Sequence, residues 1–200
     1  WDEGVSEAVD IEAVIMLDVS GSMCNVIKQA YNAMWVLKRA FDSVDISTTV
    51  LIYSDTSSVL YRSSEQANGE VRVAWGGGGT DALPALQEAT RILAASERRH
   101  KMLIALTDGQ WFSGEDIYGL TADQYIAKLN EAGVHTALGY IAETENIWGN
   151  PIPLEEQQEL FDKYGHHGCR YEAQARGEAL VPFIGDIVTG LIRAQILAHR

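Results

Sequence analysis

Five oxygen-bearing side chains stand out by type and spacing. Asp18, Ser20 and Ser22 alternate along the chain, with Gly21 between the two hydroxyls. They follow the apolar run Ala13-Val14-Ile15-Met16-Leu17, which reads as a fully buried strand. Such a strand delivers all three to its carboxyl end, where open α/β sheets bind ligands. Thr80 closes a run of four glycines, residues 76–79, and Asp108 follows a second buried run at 101–106. Glycine lets the backbone bend tightly enough to bring the Thr80 hydroxyl to the same place. Carboxylates and hydroxyls without thiolate or imidazole form a hard-oxygen set, suited to Mg²⁺, Mn²⁺ or Ca²⁺. The plainer alternative is that Ser20 and Ser22 only cap the helix that follows.

Three segments, Asp18-Val19-Ser20-Gly21-Ser22, Gly78-Gly79-Thr80 and Thr107-Asp108-Gly109, occur in that order. Together they resemble the von Willebrand factor A (vWA) domain family, over nearly the whole chain. The resemblance implies a metal-ion-dependent adhesion site. Ser20, Ser22 and Thr80 would give hydroxyl oxygens directly to the ion. Asp18 and Asp108 would hold it mainly through waters or hydrogen bonds. Mg²⁺ is the expected ion, with Mn²⁺ or Ca²⁺ as alternatives. Three neutral hydroxyls leave the cation's charge largely uncompensated, so it seeks an outside anion: an Asp or Glu carboxylate of a protein partner. The resemblance also implies sheet order 3-2-1-4-5-6, with the strand of Asp18 central. Within the family the chain looks most like intracellular bacterial members, which work beside AAA⁺ ATPases or in chelatase-type complexes.

Composition narrows the classes. The 200 residues are 46% apolar and 22% charged, enough for one domain with a real core. Residues 1–12 read as an acidic lead-in and 13–200 as the single domain. Fifteen basic against 28 acidic side chains give a net charge of −13. That argues against nucleic acid or an anionic membrane surface as partner and suits a cation site. No apolar run approaches a membrane span. Cys24 and Cys169 are read as free thiols, Cys169 in the last strand region, which points to a reducing, cytoplasmic setting. The chain opens at Trp1 without a signal peptide and is read as a piece of something longer.

Strand and helix alternate throughout, which predicts a doubly wound α/β fold with helices on both faces of a mostly parallel six-stranded sheet. Residues 23–44 have helical spacing, with Lys38 and Asp42 on the outer side. Residues 47–54 and 59–61 form a hairpin, the one antiparallel pair, with Asp55 as a turn residue. Residues 70–75 read as extended, and a helix with Asp81 in its first turn runs to about residue 96. Thr121-Ala122-Asp123-Gln124 is a capping box for a helix ending at Gly133. Strand 134–141, helix 154–164, a short edge strand at 168–171 and a last helix at 179–199 follow. His166 and His167 lack zinc-motif spacing and are read as exposed or capping histidines.

The loops after Asp108 and after residue 141 leave the same end of the sheet and carry Trp111, Phe112 and Trp148. These aromatics either fold onto their own loops or form a rim of hot-spot composition around the cation. A metal-bridged binding module without catalytic activity is the favoured function. A phosphoryl-transfer enzyme would use Asp18 as nucleophile, but Ser20 stands where a second acid is wanted and no lysine is placed to assist. The glycine run is not followed by the lysine of a nucleotide-binding loop. A structural subunit of a larger assembly is the third reading, disfavoured because all five ligand types are present.

Overall fold

A computed structural model describes residues 10–74, 76–111, 114–146 and 148–176, and the positions 182, 185, 186, 189 and 190. Phe112 and the side chains of the expected last helix that would face inward lie outside the described residues. The chain runs β1 (Ile11–Asp18), a 3₁₀ turn (Gly21–Asn25), α1 (Ile27–Asp42), β2 (Ser47–Tyr53), β3 (Ser57–Tyr61) and α2 (Leu83–Ala95). It continues β4 (His100–Thr107), α3 (Ala122–Glu131), β5 (His135–Ala142), α4 (Leu154–Tyr164) and β6 (Tyr171–Arg176).

One six-stranded sheet has the order β3-β2-β1-β4-β5-β6. Within it, among the described residues, β2 and β3 pair antiparallel and the other neighbours pair parallel. Side chains of a strand alternate between faces, and β1 shows it. Ile11, Ala13, Ile15 and Leu17 pack under Met34, Leu37 and Phe41 of α1. Val14 and Met16 face Leu86 and Ala89 of α2 and Ile126 of α3. Leu160 and Phe161 of α4 cover Leu138 and Tyr140 of β5. With strands buried on both faces, β1 shows a continuous apolar run rather than an alternating one.

Several expectations shift. β1 begins at Ile11, two residues inside the presumed lead-in. The first helix is split, because Gly21–Asn25 forms a 3₁₀ turn before α1. Residues 71–74 join no strand; Tyr31 holds them instead, its hydroxyl bonding the Ala74 carbonyl at 2.9 Å. The edge strand starts at Tyr171, so Cys169 lies before it. Lys38 is not on the solvent side: its side chain is fully buried, pairs with Asp42 and donates to the Glu65 carbonyl at 2.7 Å. Asp42 in turn accepts from the Ala67 N–H at 2.8 Å. A long aliphatic stem lets lysine lie within apolar surroundings and still bring its ammonium to partners. The capping box forms as read, with Thr121 and Gln124 exchanging side-chain-to-backbone bonds at 3.4 and 2.9 Å.

Candidate functional site

Asp18 ends β1, fully buried, and Thr107 ends the neighbouring strand β4. The Asp18 carboxylate accepts from the Ser20 N–H at 2.8 Å and from the Thr107 hydroxyl at 2.8 Å. The Thr107 oxygen accepts from the Gly109 N–H at 2.9 Å, so one carboxylate shapes two loops at once. Ser20 Oγ and Ser22 Oγ lie 3.0 Å apart. The Ser22 hydroxyl also bonds the Asp108 carboxylate, which accepts from the Gln110 N–H at 3.3 Å. Asp18, Ser20, Ser22 and Asp108 are therefore one hydrogen-bonded network. Thr107 has no assigned role in the Thr107-Asp108-Gly109 segment, yet its hydroxyl joins the two aspartate-bearing loops.

Backbone contacts bring in the glycine run. Gly77 N–H donates to the Val19 carbonyl at 2.8 Å and Gly21 N–H to that of Gly78 at 3.2 Å. A Cβ at Gly76 would run into the Val19 carbonyl, so this close approach needs glycine. On the far side Asp55 accepts from Gly79 N–H at 2.9 Å, and Asp81 N–H donates to the Ser54 carbonyl at 2.7 Å. Thr80, buried, is thus fixed between the first site loop and the β2–β3 turn. Asp55 is more than a turn residue: it grips the glycine run. Asp81 sits before α2 rather than in its first turn, its carboxylate accepting from Leu83 N–H at 3.0 Å.

The electrostatics follow from burial. Desolvation, reinforced by the nearby Asp108 charge, pushes Asp18 up to about 6 against the bonds from Ser20 and Thr107. Burial also raises Asp108, opposed by Ser22 and Gln110 N–H. Neither aspartate forms an ion pair among the described residues. Two buried carboxylates that repel each other, with serine hydroxyls between them and no basic partner, fit a divalent cation. Among the described residues no three His, Cys, Asp or Glu side chains gather to hold a metal. The set relies on hydroxyls beside two carboxylates.

The aromatic residues divide. Trp148 is 80% exposed. Trp111 is half-buried: its indole N–H donates to the Tyr53 hydroxyl at 2.9 Å and its ring stacks on His167 at 4.1 Å. It folds onto the domain rather than standing in a rim. His167 is not solvent-exposed. Its ring nitrogens lie 2.8 Å from the Gly109 carbonyl and 2.8 Å from Asp123. Burial would lower its pKa, but these two acceptors outweigh burial and raise it. His166 is exposed as expected, bonded to Glu172 at 2.8 Å. Burial lifts the Cys169 thiol to about 12, so it stays protonated; Cys24 is exposed.

Fold and loop order define a class: a doubly wound α/β domain, with the sheet order the vWA resemblance implies, whose hydroxyl and carboxylate loops meet at the carboxyl end of the sheet. No family model matches the chain, and no curated protein matches it. Solved structures do. BatB from Bacteroides thetaiotaomicron, described as a conserved hypothetical protein, superposes with a TM-score of 0.61 at 14% identity, over 92% of this chain and 99% of that one. The pilus adhesin SpaC from Lactobacillus rhamnosus GG gives 0.63 at 13% identity, over 90% of this chain but 30% of SpaC. A von Willebrand factor type A protein from Catenulispora acidiphila aligns more loosely, at 0.47 and 18% identity over 88% of this chain and 40% of that one. Such identities show a shared fold alone. Among the described residues no helix is long and apolar enough to cross a membrane.

Proposed function

We propose that this domain is a non-catalytic binding module that holds one divalent cation, Mg²⁺ first, and captures a partner protein through an Asp or Glu carboxylate. The observation that carries the reading is the buried Asp18–Ser20–Ser22–Asp108 network, which gathers like charge without a basic residue. A bound cation supplies positive charge and an open position for an outside anion. Ser20, Ser22 and Thr80 would contact it, and Asp18 and Asp108 would orient its waters. Asp18 is kept in place by Thr107 and by Ser20 N–H.

The same geometry speaks against phosphoryl transfer. A nucleophile must reach its substrate, and Asp18 is fully buried with both oxygens engaged. The two free thiols support a reducing compartment, and cooperation with an AAA⁺ ATPase or chelatase-type complex is proposed on the family resemblance. Partner capture by the immobilised domain, in Mg²⁺ and in EDTA, tests the proposal. Capture is expected only with Mg²⁺ and is lost in Asp108→Ala. A partner retained in EDTA, or by Asp108→Ala, would place the interface elsewhere.

A further inference from the structure

Another carboxylate, Glu143, lines a cavity beside Ser22 and Asp108 of the candidate cation site, without gathering with Asp18 and Asp108 into a three-carboxylate cluster. Glu143 follows the last residue of β5, on a strand that pairs with β4 and so opens at the same end of the sheet. It shares a cavity of about 250 Å³ with Ser22, Asp108, Gln110 and Tyr140. Asp108 and Ser22 are ligand candidates, and among the described residues Glu143 is the one further carboxylate lining that cavity. Its pKa is raised first by burial and then by the charge of Asp108, which places the two groups within electrostatic reach. Its Oε1 accepts from Asn25 Nδ2, at a long 3.4 Å. Asn25 ends the 3₁₀ turn that carries Ser22, so the tether and the ligand loop are one element.

We infer that Glu143 is an internal occupant of the cation's open position, so that a partner carboxylate binds by displacing it. The inference rests on the cation reading above. A glutamate side chain is long enough to extend across a small cavity, and its carboxylate has the chemistry the open position attracts. The weak bond to Asn25 gives the displaced carboxylate somewhere to go. The resting site then already holds a carboxylate, and an incoming anion must compete with a group already in place. Partner selection follows: a single weak carboxylate fails, and one supported by neighbouring contacts succeeds.

Mn²⁺ is the probe. Its binding is followed by electron paramagnetic resonance, and the water on the bound ion by proton relaxation. Wild type is compared with Glu143→Gln and Glu143→Ala, the second unable to ligate at all. Both variants are expected to bind Mn²⁺ severalfold more weakly and to show higher relaxivity per bound ion, as water takes the vacated position. Acetate, added as a free carboxylate, is expected to bind the Mn²⁺-loaded variants severalfold more tightly than loaded wild type. If wild type binds Mn²⁺ and both variants match it in affinity, relaxivity and acetate response, Glu143 is not an occupant, and the cation reading stands without it. If wild type binds no Mn²⁺, the cation reading itself fails and this inference with it.

Discussion

At the scale of single residues, Asp18 makes the sharpest commitment. Its carboxyl is held at about 6 in the folded chain, above the 3.8 of an unburied aspartate. A raised carboxylate favours folding only while protonated, so its contribution is full below pH 3.8 and lost as pH rises through 6. The loss amounts to about 3 kcal/mol. Denaturant titrations in EDTA should show wild type losing that much more stability than Asp18→Asn between pH 4 and 7. Added Mg²⁺ should restore it to wild type above pH 6 and leave Asp18→Asn unchanged. Parallel pH curves for the two proteins would contradict the raised pKa of this carboxylate. The two tryptophans separate in the same way. Trp148, 80% exposed, is free for a partner, whereas Trp111 is committed to Tyr53 and His167. Trp148→Ala should weaken partner capture by about 1–3 kcal/mol with the melting temperature unchanged. Trp111→Ala should lower the melting temperature. The reverse pattern would exchange their roles.

At the scale of elements, what the sequence states depends on whether the cause is local. The buried runs of β1 and β4, the capping box of α3 and the span of α4 follow from spacing within a few residues, and each is found. The order of the site loops is legible for the same reason: a strand's end delivers whatever residue comes next. The rest depends on partners far along the chain. Asp55 looks like a turn residue until Gly79, 24 positions on, is seen to bond it. His167 looks like half of an exposed pair until it is found beneath Gly109, 58 positions earlier. Lys38 has helical spacing for the surface, but the 62–68 segment folds over it. That case makes a prediction. Lys38→Ala would leave Asp42, only 14% exposed, without its cation and free the Glu65 carbonyl. A loss of about 3–5 kcal/mol is expected from breaking such a buried pair, measured by denaturant midpoint. Lys38→Met, which keeps the stem, should cost nearly as much; if it is silent, the ammonium contributes nothing and the stem alone matters.

At the scale of the molecule, the parts agree on one end of the sheet. β1 and β4 deliver Asp18 and Asp108 there, the glycine run is tied to Val19 and Gly21, and Glu143 follows β5 on the same side. A net charge of −13 over the whole chain repels polyanions and attracts cations. The helices pack on both faces of the sheet and hold these loops in register at its carboxyl end. The claim on which everything else depends is that these loops bind one divalent cation. Calorimetric titration of Mg²⁺ into the metal-free domain at pH 7, beside Asp108→Ala, tests it most directly. A single weak site is expected in wild type and none in Asp108→Ala, with both proteins equally folded by circular dichroism. Heats absent from wild type, or an unchanged isotherm in Asp108→Ala, would contradict it.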